Sequence, residues 1–407
     1  MVSPKNIVIS AQAFPPRTGG KQSLMEGLAA HASAAGAQVN VYTDLKKGDD
    51  AYDSAQNKPY QIKRFGGIKP LRQRRVARAV ASYAGQNETA SIFCDSWRSA
   101  EHLPKALDCA VIVYAHGNEY PRGGEADYEA KRARISKALS KVDALIAVSH
   151  NTKDRAAPFI PQSCRAEVIH NPIPPAAQAS VQEKAYAQAL WPRPDKTRCL
   201  VLCRLVPLKG VDRAIEAVAA REDCQLVIAG EGEDTVRLRA LVVSLGVQDR
   251  IIFAGRVEGG GKSALFASAD IFMQPGRNVG GHYEGYGLTY LEAGLHGLPS
   301  ISGDQGGAPE AVLDGQTGLV IDASSQEAVS RALGRLVEDA PLRQKLGEAA
   351  KRHALTQLWP KKIDSILGQG RLSQEAAAAS LALARAGNYV EDDSAAVSTL
   401  IKDKRHD

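Results

Sequence analysis

The 407-residue chain has no apolar run approaching the ~20 residues needed to cross a bilayer. Its first residues, MVSPKNIVIS, lack a long apolar stretch and a small-residue cleavage site, so they read as a first strand rather than a secretion signal. Its six cysteines (Cys94, Cys109, Cys164, Cys199, Cys203 and Cys224) include no Cys-x-x-Cys pair, and no histidine cluster flanks them. That argues against a zinc site or a disulfide framework and for reduced thiols in a cytoplasmic protein. Aromatic residues are scarce, at 5%. The GTGGKQS run lacks the G-x-G-x-x-G spacing, which speaks against a dinucleotide-dependent oxidoreductase. No Asp-x-Asp pair closes an apolar run, so no metal is expected to hold a diphosphate.

What is present is ordinary in bulk: 44% apolar and 24% charged residues, in a chain long enough for two cores. The charge is uneven. Residues 1–170 hold 24 Lys plus Arg against 16 Asp plus Glu, a balance of +8, and the remainder of the net +6 is therefore −2. Lys63, Arg64, Lys69, Arg72, Arg74, Arg75 and Arg78 carry most of the excess, in a stretch with no acid from Ser54 to Asn87. Such a patch is either a solvated helix face or a surface for anionic lipid or phosphate. Without stacking aromatics beside it, nucleic acid is not expected.

Short β-branched runs alternate with helical patterns. NIVIS (6–10), VNVYT (39–43), SIFC (91–94), AVIVYAHG (110–117) and ALIAVS (144–149) read as strands of one parallel sheet. CLVLCRL (199–205), QLVIAG (225–230), IIFAG (251–255), IFMQP (271–275), PSIS (299–302) and LVID (319–322) read as strands of a second. The Pro-rich NPIPPAAQAS and WPRPDK segments divide them. The expected fold is α/β, with two doubly wound Rossmann-like domains facing each other across a cleft. Residues 1–172 would form the acceptor-side domain, 173–195 the linker and 196–357 the donor domain. Helices within 358–387 could cross back to the first domain, and 388–407 would be a polar tail. Two such domains turn their strand C-termini to a common cleft, which suits two substrates.

The densest chemistry lies in QPGRNVGGHYEGYGLTYLEAGLHGLPSISGDQGGAPEAVLDGQTG (274–318). A Gly-rich loop follows a strand, and a helix starts near Gly287 and ends near His296, with Gly297 as C-terminal cap and Pro299 after it. The N–H groups of Gly287, Leu288 and Thr289 and the helix dipole make an anion site suited to a diphosphate. Glu284 lies at its mouth and Glu292 on its second turn, placed to accept hydroxyl donors of a sugar and a ribose.

This run resembles the Glu-x(7)-Glu motif of the retaining glycosyltransferases of family 4, which have the GT-B fold. Glu284 and Glu292 match its two acids, and the resemblance implies that the first contacts the donor sugar and the second the ribose. GDQGGAPEAVLDGQTGLV is similar to the family's C-terminal signature, in wording closest to members that transfer mannose to phosphatidylinositol. Pro15, Pro16, Gly19 and Gly20 match a loop that closes over the reaction centre. Arg204 and Lys209 match the basic pair on the diphosphate, Glu231, Gly232 and Arg256 match nucleotide-side positions, and His116 matches a histidine beside the donor sugar. Glu310, a first-turn helix acid, is a further donor-site candidate. Asn171 matches the start of the interdomain linker. The resemblance implies front-face transfer with retention, catalysed by His116, Glu284, Arg204 and Lys209 and without a metal or other cofactor.

Two departures stand out: Pro172 replaces the family's usual Gly, and the loop before Glu284 is long and Gly-rich, with His282 lacking a family counterpart. The donor is expected to be GDP-mannose or a UDP-hexose, the acceptor lipid-linked or a saccharide. An anionic membrane surface would be met through Lys63–Arg78. A sugar-nucleotide epimerase or a catalytically silent nucleotide-sugar-binding protein on the same fold is the alternative.

Overall fold

The computed structural model describes residues 6–54 and 58–370; the helix expected over 371–387 and the tail from Asn388 lie outside them. Two all-parallel sheets organise the chain. The first contains β1 (Asn6–Ala11), β2 (Gln38–Asp44), β3 (Gln61–Phe65), β4 (Thr89–Cys94), β5 (Ala110–Ala115), β6 (Ala144–Ala147) and β7 (Arg165–Val168), in the order β3-β2-β1-β4-β5-β6-β7. The second contains β8 (Thr197–Leu202), β9 (Cys224–Ala229), β10 (Ile251–Gly255), β11 (Ile271–Gln274), β12 (Ser300–Gly303) and β13 (Gly318–Ile321), in the order β10-β9-β8-β11-β12-β13. Central strands such as β5 and β9 are buried along their whole length. Helices cover both faces of such sheets, so these strands are continuous apolar runs rather than alternating ones. The edge strands β3 (QIKRF) and β7 (RAEV) are only half-buried and carry charges, as exposed edges do. That is why no apolar run announces them.

The segment expected as a plain linker contains a helix, Val181–Ala189. Ser180 and Glu183 form a reciprocal capping box at its start. Ala187 and Trp191 are buried with Phe266 and Phe272 in the second domain's core, so this helix belongs to that domain. The extended crossing precedes it, and a return crossing runs alongside. The Ile173 N–H donates to the carbonyl of Gln357 at 3.0 Å, and the Trp359 N–H to that of Ile173 at 3.2 Å. The returning helix Trp359–Leu367 then packs on the first domain's helix Gly20–Ala34. Trp359 is 2% exposed and stacks on His31 at 5.1 Å, with Gly27 beneath its ring.

Candidate active site

The strand order reverses between β1 and β4 in one domain and between β8 and β11 in the other. At such switch points, loops leaving adjacent strands diverge and open a crevice. The loop after β1 leads to Gly19, whose φ of 148° is one that glycine adopts at little cost, and then to the helix Gly20–Ala34. Across the cleft, Gly287 (φ 99°) starts the helix Leu288–Leu295, and a Cβ there would lie 2.5 Å from the Tyr290 ring. Neither helix has a side-chain cap. Their first residues meet: a Cβ on Gly20 would sit 3.7 Å from Leu288 Cδ1. Two uncapped N-termini, one from each domain, thus converge on the cleft, each with unpaired N–H groups and a partial positive charge.

The donor domain adds cations and carboxylates. Lys209, in the turn after β8, donates to Glu284 in an ion pair, and Gln274 Nε2 donates to the same Oε2 of Glu284 at 3.1 Å. Burial alone would lower the Lys209 pKa, but Glu284 outweighs it and the ammonium is held above its ordinary value. Arg204 is exposed; its carbonyl accepts from the Val206 N–H at 3.0 Å, but its guanidinium has no hydrogen bond or ion pair among the described residues and is free for a ligand. On the second turn of the helix, Glu292 accepts from Lys262 Nζ at 2.5 Å. Glu231 is exposed, with its carbonyl accepting from the Leu205 N–H at 2.9 Å. Arg256 pairs with Glu258 and reaches the other domain, donating to Thr18 Oγ1 at 3.0 Å.

The first domain contributes His116, two residues before Asn118 in the turn after β5. Its Nε2 lies 3.0 Å from the Asp95 carbonyl. A carbonyl only accepts, so Nε2 carries the proton and Nδ1 keeps a lone pair. Burial, with Lys21 acting in the same direction, lowers the His116 pKa to about 4, so the ring is neutral at pH 7. Its backbone N–H donates to Glu119 Oε1 at 2.7 Å, and Glu119 faces Lys21 at 3.9 Å. A Cβ on Gly285 would lie 2.7 Å from the His116 carbonyl oxygen, so the residue after Glu284 abuts His116. Asp95 is buried and accepts from the Gln12 N–H at 2.9 Å and from Ser99 Oγ at 2.5 Å, tying the loop after β1 to β4. Burial raises its pKa, against these hydrogen bonds and Lys21.

Glu310 stands apart from this group. All the hydrogen bonds of its carboxylate go to the first domain: the N–H of His150 (2.9 Å), the N–H of Asn151 (3.2 Å), His150 Nδ1 (2.8 Å) and His170 Nε2 (2.9 Å). The long loop before Glu284 is also built onto that domain. Val279 and His282 exchange backbone hydrogen bonds at 2.9 and 3.0 Å, and Arg155 donates to the Gly281 carbonyl at 3.1 Å. The guanidinium groups of Arg122 and Arg155 lie 5.1 and 5.3 Å from the Tyr283 ring. His282 itself is exposed. The basic stretch divides in two. Arg64 is 4% exposed, paired with Asp49 and Asp53, and Arg72 pairs with Asp44 at 2.7 Å, so both serve the fold rather than a partner. Lys69, Arg74, Arg75 and Arg78 are exposed.

Lys21, Asp95, Glu119, Gln274 and Lys262 belong to the site and were missed by sequence reasoning. Signals existed for some of them. Lys21 directly follows Gly19–Gly20, Asp95 directly follows the SIFC run, and Glu119 closes HGNE. Lys262, 30 residues from Glu292 in an Ala- and Gly-rich helix, had none.

Two doubly wound domains, with switch points, helix N-termini, cations and carboxylates on one cleft, define the GT-B class of fold. Residues 18–177 match the model for Glycosyltransferase Family 4 and residues 183–353 that for Glycosyl transferases group 1. The chain is 30% identical over 367 residues to the GDP-mannose-dependent monoacylated alpha-(1-6)-phosphatidylinositol monomannoside mannosyltransferase of Corynebacterium glutamicum, covering 87% of this chain and 94% of that one. It is 30% identical over 378 residues, with the same coverage, to the GDP-mannose-dependent alpha-(1-6)-phosphatidylinositol monomannoside mannosyltransferase of Mycobacterium tuberculosis. In fold it is similar to sucrose-phosphate synthase from Thermosynechococcus elongatus (TM-score 0.75, 19% identity, 90% of this chain and 98% of that one). It is also similar to the Anabaena HepE protein solved with UDP and glucose (TM-score 0.73, 16% identity, the same coverage). The chain belongs to glycosyltransferase family 4.

Proposed function

We propose that this protein transfers mannose from GDP-mannose to a lipid-linked acceptor at an anionic membrane surface, with retention of configuration and without a catalytic metal. The observation that carries the reading is the similarity to GDP-mannose-dependent enzymes along 87% of the chain.

The chemistry required is charge stabilisation on a leaving diphosphate. Lys209, Arg204 and the converging helix N-termini supply positive charge without a metal ion. Glu284 would orient donor hydroxyls once the sugar shares its carboxylate with Lys209, and Glu292 would hold the ribose. The acceptor hydroxyl attacks the anomeric carbon on the face the diphosphate leaves. The C–O bond to the acceptor forms as the bond to the phosphate oxygen breaks, and that oxygen takes the acceptor's proton. His116, neutral with Nε2 protonated, positions hydroxyls through Nδ1 and gives up no proton. The contact of Arg256 with Thr18 favours a closed cleft, which excludes water.

The membrane reading rests on the helix Lys69–Gln86. Ile68 and Leu71 are 69% and 55% exposed beside the exposed Lys69, Arg74, Arg75 and Arg78. Apolar side chains flanked by cations suit an interface of anionic lipid. Among the described residues no helix is long and apolar enough to cross a membrane.

The test offers the purified protein radiolabelled GDP-mannose or UDP-glucose, with phosphatidylinositol-containing vesicles or a soluble mannoside. Mannosylated lipid of α configuration, made at least as well after EDTA treatment, is the expected product. UDP-glucose as the better donor, a soluble acceptor preferred over lipid, or an epimerised nucleotide sugar from donor alone would replace this reading.

A further inference from the structure

Outside the cleft, His150, His170 and Glu310 bring three metal-ligating atoms together at the domain boundary. We propose that they bind a divalent transition-metal ion, zinc above others, which braces the two domains beside their hinge.

Two of the three groups come from the first domain. His150 begins the helix that follows β6, and His170 lies just beyond β7, where the chain starts its crossing. Glu310 comes from the second domain, in the short helix Ala308–Ala311. His150 Nδ1 and His170 Nε2 both approach Oε2 of Glu310, at 2.8 and 2.9 Å, and all three ligand atoms lie within 4.8 Å of one another. Two histidines and a carboxylate form a zinc ligand set that leaves a fourth position for water. Zinc bonds of ~2.0–2.2 Å in tetrahedral array separate neighbouring ligand atoms by roughly 3.4 Å. The carboxylate oxygen, now 2.8 and 2.9 Å from the two nitrogens, would withdraw about half an ångström from each for an ion to enter.

The surroundings fit. The N–H groups of His150 and Asn151 orient the carboxylate from behind, as outer-sphere donors do. The His170 ring is stacked on Tyr286 at 4.7 Å and nearly parallel, which fixes the aim of Nε2. The His150 side chain is 73% exposed, so an ion can enter and keep a water. Asn151 Oδ1 and Asn171 Oδ1, each on the residue after a histidine, are buried without a hydrogen-bond partner among the described residues.

None of the three side chains bonds to Lys209, Glu284 or His116, so the ion would take no part in transfer. It would instead add bonds across the boundary that domain opening must stretch. Turnover that depends on opening then slows when the site is filled.

The test titrates metal-free, full-length protein with zinc chloride by calorimetry. One equivalent should bind in the micromolar range or tighter. His150→Ala and His170→Ala should each weaken binding at least tenfold, and His102→Ala, a histidine elsewhere, should leave it unchanged. Zinc should raise the melting temperature of the wild type but not of His150→Ala, whose melting temperature in EDTA reports whether that variant folds. Zinc should also slow wild-type transfer about fivefold or more, reversibly with EDTA. Absence of one-equivalent binding, or unchanged affinity in both histidine variants, overturns the proposal. Because binding is read without donor or acceptor, it stands or falls separately from the transferase reading.

Discussion

Lys209 and Glu284, 75 residues apart, form an ion pair at the mouth of the helix Leu288–Leu295, and Gln274 shares the same carboxylate oxygen. The pair joins the turn after β8 to the loop after β11, the two strands that flank the switch point. Under the proposed function, a diphosphate entering the site competes for the Lys209 ammonium, and a sugar hydroxyl competes for the Glu284 carboxylate. The pair thus holds both groups in place until a donor replaces each with its own partner.

Lys209→Ala should lower kcat by about 10²–10³-fold, the usual cost of removing one preorganised group that stabilises leaving-group charge. Glu284→Ala should abolish transfer while nucleoside-diphosphate binding stays measurable by calorimetry. Wild-type turnover in the Glu284 variant would remove that residue from the donor site.

Glu292→Ala should act differently. Under the proposed function it holds a donor hydroxyl in ground and transition states alike, so KM for the donor should rise roughly tenfold or more while kcat changes little. A fall in kcat at constant KM would place Glu292 in the chemistry instead.

Stability should fall with pH below neutrality. Burial lowers the pKa of His116 and of His296 to about 4, from an ordinary 6.5. Between those values the unfolded chain binds more protons than the folded one, so each site contributes less stability as pH drops from 6.5 to 4, by up to about 3 kcal/mol. Glu310 has the opposite sign of charge: its pKa is lowered from 4.5 to about 2, so its contribution is present above 4.5 and is lost only below that. Urea midpoints measured from pH 7 to pH 4.5 should therefore decline, and less steeply in His116→Gln. A flat profile over that window would contradict a neutral buried His116.

Ile68→Ser combined with Leu71→Ser should reduce binding to phosphatidylinositol-containing vesicles by about tenfold or more, since the interface loses both apolar side chains. Binding by the wild type should weaken with added salt as the Arg74, Arg75 and Arg78 charges are screened. Co-sedimentation reads both effects. Turnover on a water-soluble acceptor should be unchanged.

Trp359→Ala removes a ring that is 2% exposed between His31 and Gly27 and that anchors the returning helix on the first domain. The expected loss is about 3–5 kcal/mol, read as a lower urea midpoint. An unchanged midpoint would mean that the returning helix adds little to the first domain.

The parallel strands were legible because helices bury them on both faces: NIVIS, AVIVYA and QLVIA can be little else in an α/β chain. The GT-B layout followed from two such sets and the Pro-rich break. QIKRF and RAEV were not legible, because an edge strand needs only one neighbour and keeps its charges. Val181–Ala189 was passed over for a different reason: Pro and Ala composition suggested a linker, while the Ser180–Glu183 capping box and the burial of Ala187 and Trp191 made it a helix of the second domain.

The sequence by itself determined which residues stand at the ends of strands and the start of one helix, since Glu284, Gly287 and Glu292 are neighbours within one local motif. Hydrogen-bond partners from distant segments were decided only by the tertiary structure. Lys209 on Glu284, Asp95 on His116, Thr18 on Arg256 and the two histidines on Glu310 are separated by 75, 21, 238 and 160 or 140 residues. Periodicity and propensity act over a few residues along the chain. Which charges meet across a cleft depends on how two sheets are held against each other, and no local pattern records that.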